Sequence, residues 1–407
     1  MVGAVSSAEG VSANRQVPDV FKPPPGNPRF PLFDGLRAVA AISILVYHGF
    51  GWSANLWTGS LRPWTANLDI GVPIFFVISG FLLYRPFVAA NMKGERGPLA
   101  GRFYRRRVLR IVPAYWVALT VLSIYPLSRE MFSDWPKYYF FLQNFSLSTN
   151  GLGQASSLCI EVSFYLVLPL YAFFTARAFR SASPTRRMQL EIALLIVLSL
   201  ISAAFWNGYA HSLFWHPLGL QHYLYWFALG MSLALISAWS QHAKAQSLKL
   251  VELVGRNPGW CWALAIGLYV LLGALTGIPG GLVWLPGDSI IRWVLQPLIA
   301  ALLVLPAVFS APRQGVPGRF LMLRPVAWLG LISYGLFLWH LGVVILIVRQ
   351  GWIDYSNPAL AAIETTLLTL LITIPIAAVS YYVIERPFLR LKDHGFKRSA
   401  RATGKAL

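Results

Sequence analysis

Asp34-Gly35-Leu36-Arg37-Ala38-Val39-Ala40-Ala41-Ile42-Ser43-Ile44-Leu45-Val46-Tyr47-His48 opens the first long apolar run of the chain. An imidazole inside a membrane-length apolar run is costly and is a functional candidate by default. Eleven residues of helix rise about 16 Å over three turns, so Arg37 and His48 share one face. One end of that face is cationic and its interior carries a proton acceptor. Such a layout suits a charged cofactor outside the hydrocarbon and chemistry within it.

The rest of the chain extends this reading. Of its 407 residues, 56% are hydrophobic and 12% charged, and the mean hydropathy is +0.57. Soluble domains carry about 25% charged residues. Apolar stretches long enough to span a bilayer recur from end to end. They predict an all-α, polytopic membrane protein, a bundle of about ten transmembrane helices near 38–57, 70–90, 109–127, 157–176, 188–206, 222–240, 259–277, 288–310, 325–348 and 358–384. Residues 1–30 read as a Pro-rich cytoplasmic tail with no apolar signal region, 31–391 as the membrane domain and 392–407 as a basic cytoplasmic tail. The first span is then an uncleaved signal anchor.

Charge distribution tests the span count. With both termini cytoplasmic, all but five of the 34 Lys and Arg residues fall on the inner side, the exceptions being Arg62, Arg129, Lys137, Arg292 and Arg349. One span more or fewer would scramble that alternation. The net charge of +19 therefore sets orientation and meets membrane lipid headgroups rather than nucleic acid. The expected location is the inner (cytoplasmic) membrane. Cys159 and Cys261 fall near opposite faces, which excludes a disulfide, and no metal-ligand spacing appears.

Several segments could carry chemistry. Asp34 lies one turn from Arg37, itself either a lipid-facing anchor or a ligand group. Gly71-Val72-Pro73-Ile74-Phe75-Phe76-Val77-Ile78-Ser79-Gly80-Phe81-Leu82-Leu83 offers small residues for close helix approach, and Ser79 could also donate a hydrogen bond into a cavity. Arg102-Phe103-Tyr104-Arg105-Arg106-Arg107-Val108-Leu109-Arg110 is the densest basic cluster. Arginine forks suit phosphate and pyrophosphate; Arg102 and Arg105 read as anchors, Arg107 and Arg110 as ligand candidates on one face. Glu161, within Ser157-Leu158-Cys159-Ile160-Glu161-Val162-Ser163-Phe164-Tyr165, is an intramembrane carboxylate that needs a partner and could orient a histidine or bind an acceptor hydroxyl. Ser333-Tyr334-Gly335-Leu336-Phe337-Leu338-Trp339-His340 supplies a second deep histidine, placed to meet His48 or Glu161. Glu385-Arg386-Pro387 reads as a paired helix end. Trp135-Pro136-Lys137-Tyr138-Tyr139 forms an interfacial belt or a sugar-stacking surface. His211, His216 and His222 lie in or beside an outer loop, where solvation is the default.

In this order, Phe33 through His48, Gly71 through Leu83, Arg105 through Pro113, Glu161 with Phe164-Tyr165 and Pro169, Ser333 through His340, and Glu385-Arg386-Pro387 resemble the acyltransferase-3 family of integral membrane O-acyltransferases. One departure is Ser156, where the family often has Trp in a Trp-Ser-Leu segment. The resemblance implies a ten-helix bundle that moves an acyl group, commonly acetyl from acetyl-CoA, to a hydroxyl on a sugar-containing acceptor such as a cell-envelope polysaccharide or glycolipid. The donor acyl-CoA is a substrate, and no tightly bound cofactor is implied. The essential catalytic histidine is then His48, with Arg37 its basic partner, Arg107 and Arg110 the Arg-x-x-Arg pair, and Glu161 a further site residue. Asp34, Ser79, Tyr334 and His340 complete the candidates for binding. The extra periplasmic domain that some members carry is not expected within these residues. A proton-coupled transporter without acyl-transfer chemistry is the alternative, since intramembrane His and Glu serve that function as well.

Overall fold

The computed structural model describes residues 30–52, 62–127, 129–145, 152–211, 219–242, 248–276 and 286–391, without the side chains of 62–63, 129–131, 208–211 and 286–289. Among the described residues there are helices and turns and no strand. The main elements are α1 (Leu32–Trp52), α2 (Gly71–Met92), α3 (Ala100–Ile124), α4 (Ala155–Ala178), α5 (Pro184–His211), α6 (Leu224–His242), α7 (Gly259–Thr276), α8 (Pro286–Phe309), the short α9 (Arg324–Leu331), α10 (Ser333–Gln350) and α11 (Pro358–Ser380). Among the described residues, nine helices are long and apolar enough to cross a membrane. The predicted span near 222–240 corresponds to α6, which falls short of that measure because Tyr225, Trp226, Trp239, Gln241 and His242 dilute its apolar content.

Three boundaries differ from the sequence reading in ways that matter. Helix α1 begins right after Pro31, so Asp34 and Arg37 lie inside it. Helix α3 begins at Ala100 and takes the whole arginine cluster into its first turns. The segment 325–348 is not one span: it breaks at Ile332 into α9 and α10, with Pro325 starting the first piece as a first-turn proline can. Interior prolines Pro86, Pro113, Pro169 and Pro375 do not end their helices, because neighbouring helices cover the freed backbone groups.

Helix association within lipid depends on close fit more than on apolar transfer. Helices α2 and α6 make the tightest pair: a Cβ at Gly230 would stand 2.1 Å from the Val77 carbonyl oxygen, and one at Gly80 would stand 2.4 Å from that of Phe227. Phe227 also stacks between Phe76 and Phe164, with ring centroids 4.4 and 4.0 Å away. Helix α1 sits centrally, packed on α2, α9, α10 and α11. Large apolar side chains on α4, α5, α7 and α11, including Phe174, Leu200, Ile266 and Leu371, face outward, as lipid-facing residues do.

Two buried polar clusters brace the bundle. Glu191 on α5 accepts from Arg187 at 3.0 Å and from the Tyr84 hydroxyl of α2. Arg292 on α8 pairs with Asp69 at 2.5 Å, and Gln296 donates to the other carboxylate oxygen at 2.7 Å. The Trp135–Tyr139 helix folds back on α3. Its Tyr138 and Tyr139 carbonyls accept from Tyr115 and Trp116, a packing arrangement in which Tyr138 is buried. His222 is buried, with Nδ1 3.4 Å from the Gly219 carbonyl oxygen; His216 and the side chain of His211 lie outside the described residues. Cys159 and Cys261 are both free thiols.

Candidate active site

A cavity of about 920 Å³ opens among α1, α2, α3, α4, α9, α10 and the segment Tyr381–Leu391 that follows α11. That volume lies near the upper end of the range for ligand pockets, about 300–1,000 Å³. Its walls carry seven of the nine residues singled out above: Asp34, Arg37, Ser79, Arg107, Arg110, Glu161 and Tyr334.

Helical periodicity explains the grouping. Asp34 and Arg37 are one turn apart, and Arg37 Nη1 donates to Asp34 Oδ1 at 2.9 Å. Arg107 and Arg110 repeat the spacing on α3, while Arg102, Arg105 and Arg106 point away and are exposed. The Arg107 guanidinium lies 5.8 Å from the centre of the Tyr165 ring. The Ser79 hydroxyl donates to Glu161 Oε1, so this carboxylate has a hydroxyl partner. Tyr334 reaches across to α3, its hydroxyl donating to the Ile111 carbonyl at 2.9 Å.

The two deep histidines stand together just beyond this wall. Neither lines the cavity; Ile44 and Phe337, one turn before His48 and three residues before His340, do. His340 Nε2 lies 3.1 Å from His48 Nδ1. Each Nδ1 also faces the carbonyl four residues back on its own helix, Ile44 for His48 and Leu336 for His340, at 3.0 Å in both cases. His340 is buried, whereas His48 keeps part of its surface open.

Tyr165, Tyr381, Glu385, Arg386 and Arg390 also line the cavity, though the sequence reading does not mark them as candidates for binding. Tyr165 follows Glu161 by four residues, one turn along the same face, which was a legible signal. Glu385 is the main correction. Instead of a simple pair at a helix end, it closes a π-helical turn, Tyr381–Glu385, is 4% exposed, and presents Oε1 with no hydrogen-bond partner. Single π turns often mark functional positions.

The wall thus sets Arg37, Arg107, Arg110, Arg386 and Arg390 against Asp34, Glu161 and Glu385. That surplus of guanidinium groups suits a ligand with several phosphate oxygens. The apolar residues between Val72 and Leu83 that also line it suit an acyl chain or linker.

Comparison with known proteins agrees with the geometry. A family model described as an acyltransferase domain matches residues 31–385. The O-acetyltransferase OatA of Staphylococcus aureus is 27% identical over 399 residues, covering 92% of this chain and 59% of that protein. The peptidoglycan O-acetyltransferase OatA of Listeria monocytogenes is 23% identical over 393 residues, covering 90% of this chain and 56% of that protein. The chain therefore spans less than two thirds of the length of either relative. No solved structure matches it significantly. With the match running through nearly every helix that builds the cavity, the chain belongs to the acyltransferase-3 family.

Proposed function

We propose that this protein is a multi-pass membrane O-acyltransferase that takes an acyl group, acetyl in the simplest case, from a cytoplasmic acyl-CoA and transfers it to a hydroxyl of a cell-wall polysaccharide. One observation carries the reading: Arg37, Arg107 and Arg110 meet in one cavity whose far wall, at Ile44, lies a single turn from His48. The end of the bundle that bears Arg37 and Arg386 is the cytoplasmic end in this reading, in accord with the distribution of basic residues. Sugar hydroxyls are suggested as acceptors by the name of the Listeria monocytogenes relative, a peptidoglycan O-acetyltransferase.

The donor's phosphates lie against the arginines, and its thioester arm extends toward Ile44 and Phe337. The imidazole of His48 takes the proton of the acceptor hydroxyl as the oxygen attacks the thioester carbonyl. The new C–O bond forms, the C–S bond breaks, and the proton passes from His48 to the departing thiolate. Glu161, fixed by Ser79, lies on the same cavity wall.

Replacing His48 with Ala in the full chain and following loss of acetyl-CoA together with acetyl gain on a chitotetraose acceptor tests the reading. Transfer should fall by at least about 100-fold, the ordinary contribution of a general base. Transfer at the wild-type rate in H48A would refute it.

A further inference from the structure

The contact between the two histidines fixes where their protons sit. A carbonyl oxygen only accepts. His340 Nδ1, 3.0 Å from the Leu336 carbonyl, therefore carries hydrogen, and in the neutral ring Nε2 is the bare nitrogen. That bare Nε2 lies 3.1 Å from His48 Nδ1, which also faces the Ile44 carbonyl at 3.0 Å. Both neighbours of His48 Nδ1 are acceptors, so this nitrogen bears hydrogen and shares it between them. The remaining nitrogen of His48, Nε2, is left with its lone pair free. Two independent constraints, one from each helix, give the same tautomer.

We propose that His340 is a positioning residue that locks His48 as its Nδ1–H tautomer and makes Nε2 the atom that receives the acceptor's proton. This rests on the acyl-transfer reading above. When Nε2 takes the proton, His48 becomes an imidazolium whose Nδ1–H strengthens its bond to the His340 lone pair. The charge returns to zero when Nε2 hands that proton to the thiolate. The arrangement resembles the orienting half of a hydrolase triad, with a neutral imidazole in place of the carboxylate. The choice suits the setting: a carboxylate at His340's depth would itself need a compensating charge, while the second imidazole is already satisfied by the Leu336 carbonyl.

The test uses the full chain in lipid nanodiscs, with acetyl-CoA as donor and chitotetraose as acceptor probe. H340F keeps an aromatic ring but cannot accept a hydrogen bond; H340Q offers an amide oxygen. With H340F, kcat should fall by about 100-fold, within the range assigned to a correctly placed base, while the KM for acetyl-CoA stays within about twofold. H340Q should recover at least part of kcat. In the wild-type protein, 15N spectra of labelled histidine should show His48 as the single Nδ1–H form, and in H340F, where only the Ile44 carbonyl still favours it, a second form protonated at Nε2 should appear. Wild-type kcat in H340F, or a wild-type His48 protonated at Nε2, would overturn the proposal while leaving the acyl-transfer reading intact. Full transfer by H48A would overturn that reading instead. Should H340F fail to fold, the tautomer measured in the wild type and the activity of H340Q still decide the matter.

Discussion

Ser79 on α2 holds Glu161 on α4 through a hydrogen bond from its hydroxyl to the carboxylate. This is a direct link between two helices that line the cavity. Bonds to charged groups contribute about 1.5–3 kcal/mol, enough to set where the carboxylate stands. In the proposed reaction, S79A should lower kcat about tenfold, whereas S79T, which keeps the hydroxyl, should retain most of it. Initial rates of acetyl transfer would decide, and equal rates for S79A and S79T would remove Glu161 placement from the role of Ser79.

Arg107 and Arg110 make a separable prediction. Lysine keeps the charge but loses the planar fork. R107K and R110K should each raise the KM for acetyl-CoA, by about tenfold, with a smaller effect on kcat. Inorganic pyrophosphate should compete with the donor in the wild type and do so less well in either variant. Steady-state kinetics at fixed ionic strength measure both.

The α2–α6 contact predicts where a single methyl group matters. G230A places a Cβ 2.1 Å from a backbone oxygen and should cost about 1–3 kcal/mol as overpacking. Gly267 on α7 has no neighbour within 4 Å of a built Cβ, so G267A should be neutral or gain up to about 1 kcal/mol from helix propensity. Thermal unfolding of the two variants in detergent should move in opposite directions or differ by several degrees.

Glu191 predicts a loss of stability without a loss of recognition. It is buried, and it pairs with Arg187 outside the cavity. E191A strips the partner from a buried guanidinium, a change worth about 3–5 kcal/mol. The folded fraction should fall sharply while the KM for acetyl-CoA in the surviving protein stays at the wild-type value.

Particular residues show how far the sequence was legible. Membrane-length apolar runs located the helices, because hydropathy is a property of segments. Arg107 and Arg110 were separable from Arg102 and Arg105 by periodicity alone, and the cavity wall divides them the same way. The encounter of His48 with His340 was one of two pairings left open; spacing along each helix cannot choose between partners on different helices. Glu385 was misread because a π turn leaves no trace in hydropathy and shifts every later side chain. Asp69 and Arg292, 223 positions apart in the chain, could be paired only by the fold. The break at Ile332 was hidden because both pieces are apolar.

The π turn at Tyr381–Glu385 makes the last helix sensitive to counting. An α-helix advances about 100° per residue, so the extra residue held in this turn decides which way everything after it faces. Deleting Val383 would leave a segment just as apolar and still long enough to cross the bilayer, yet Glu385, Arg386 and Arg390 would be swung away from the cavity they line. A frame shift of one residue, silent to composition, would thus empty one rim of the chamber of its charges. For this rim of the chamber, the length of the last helix matters as much as the identity of any residue on it.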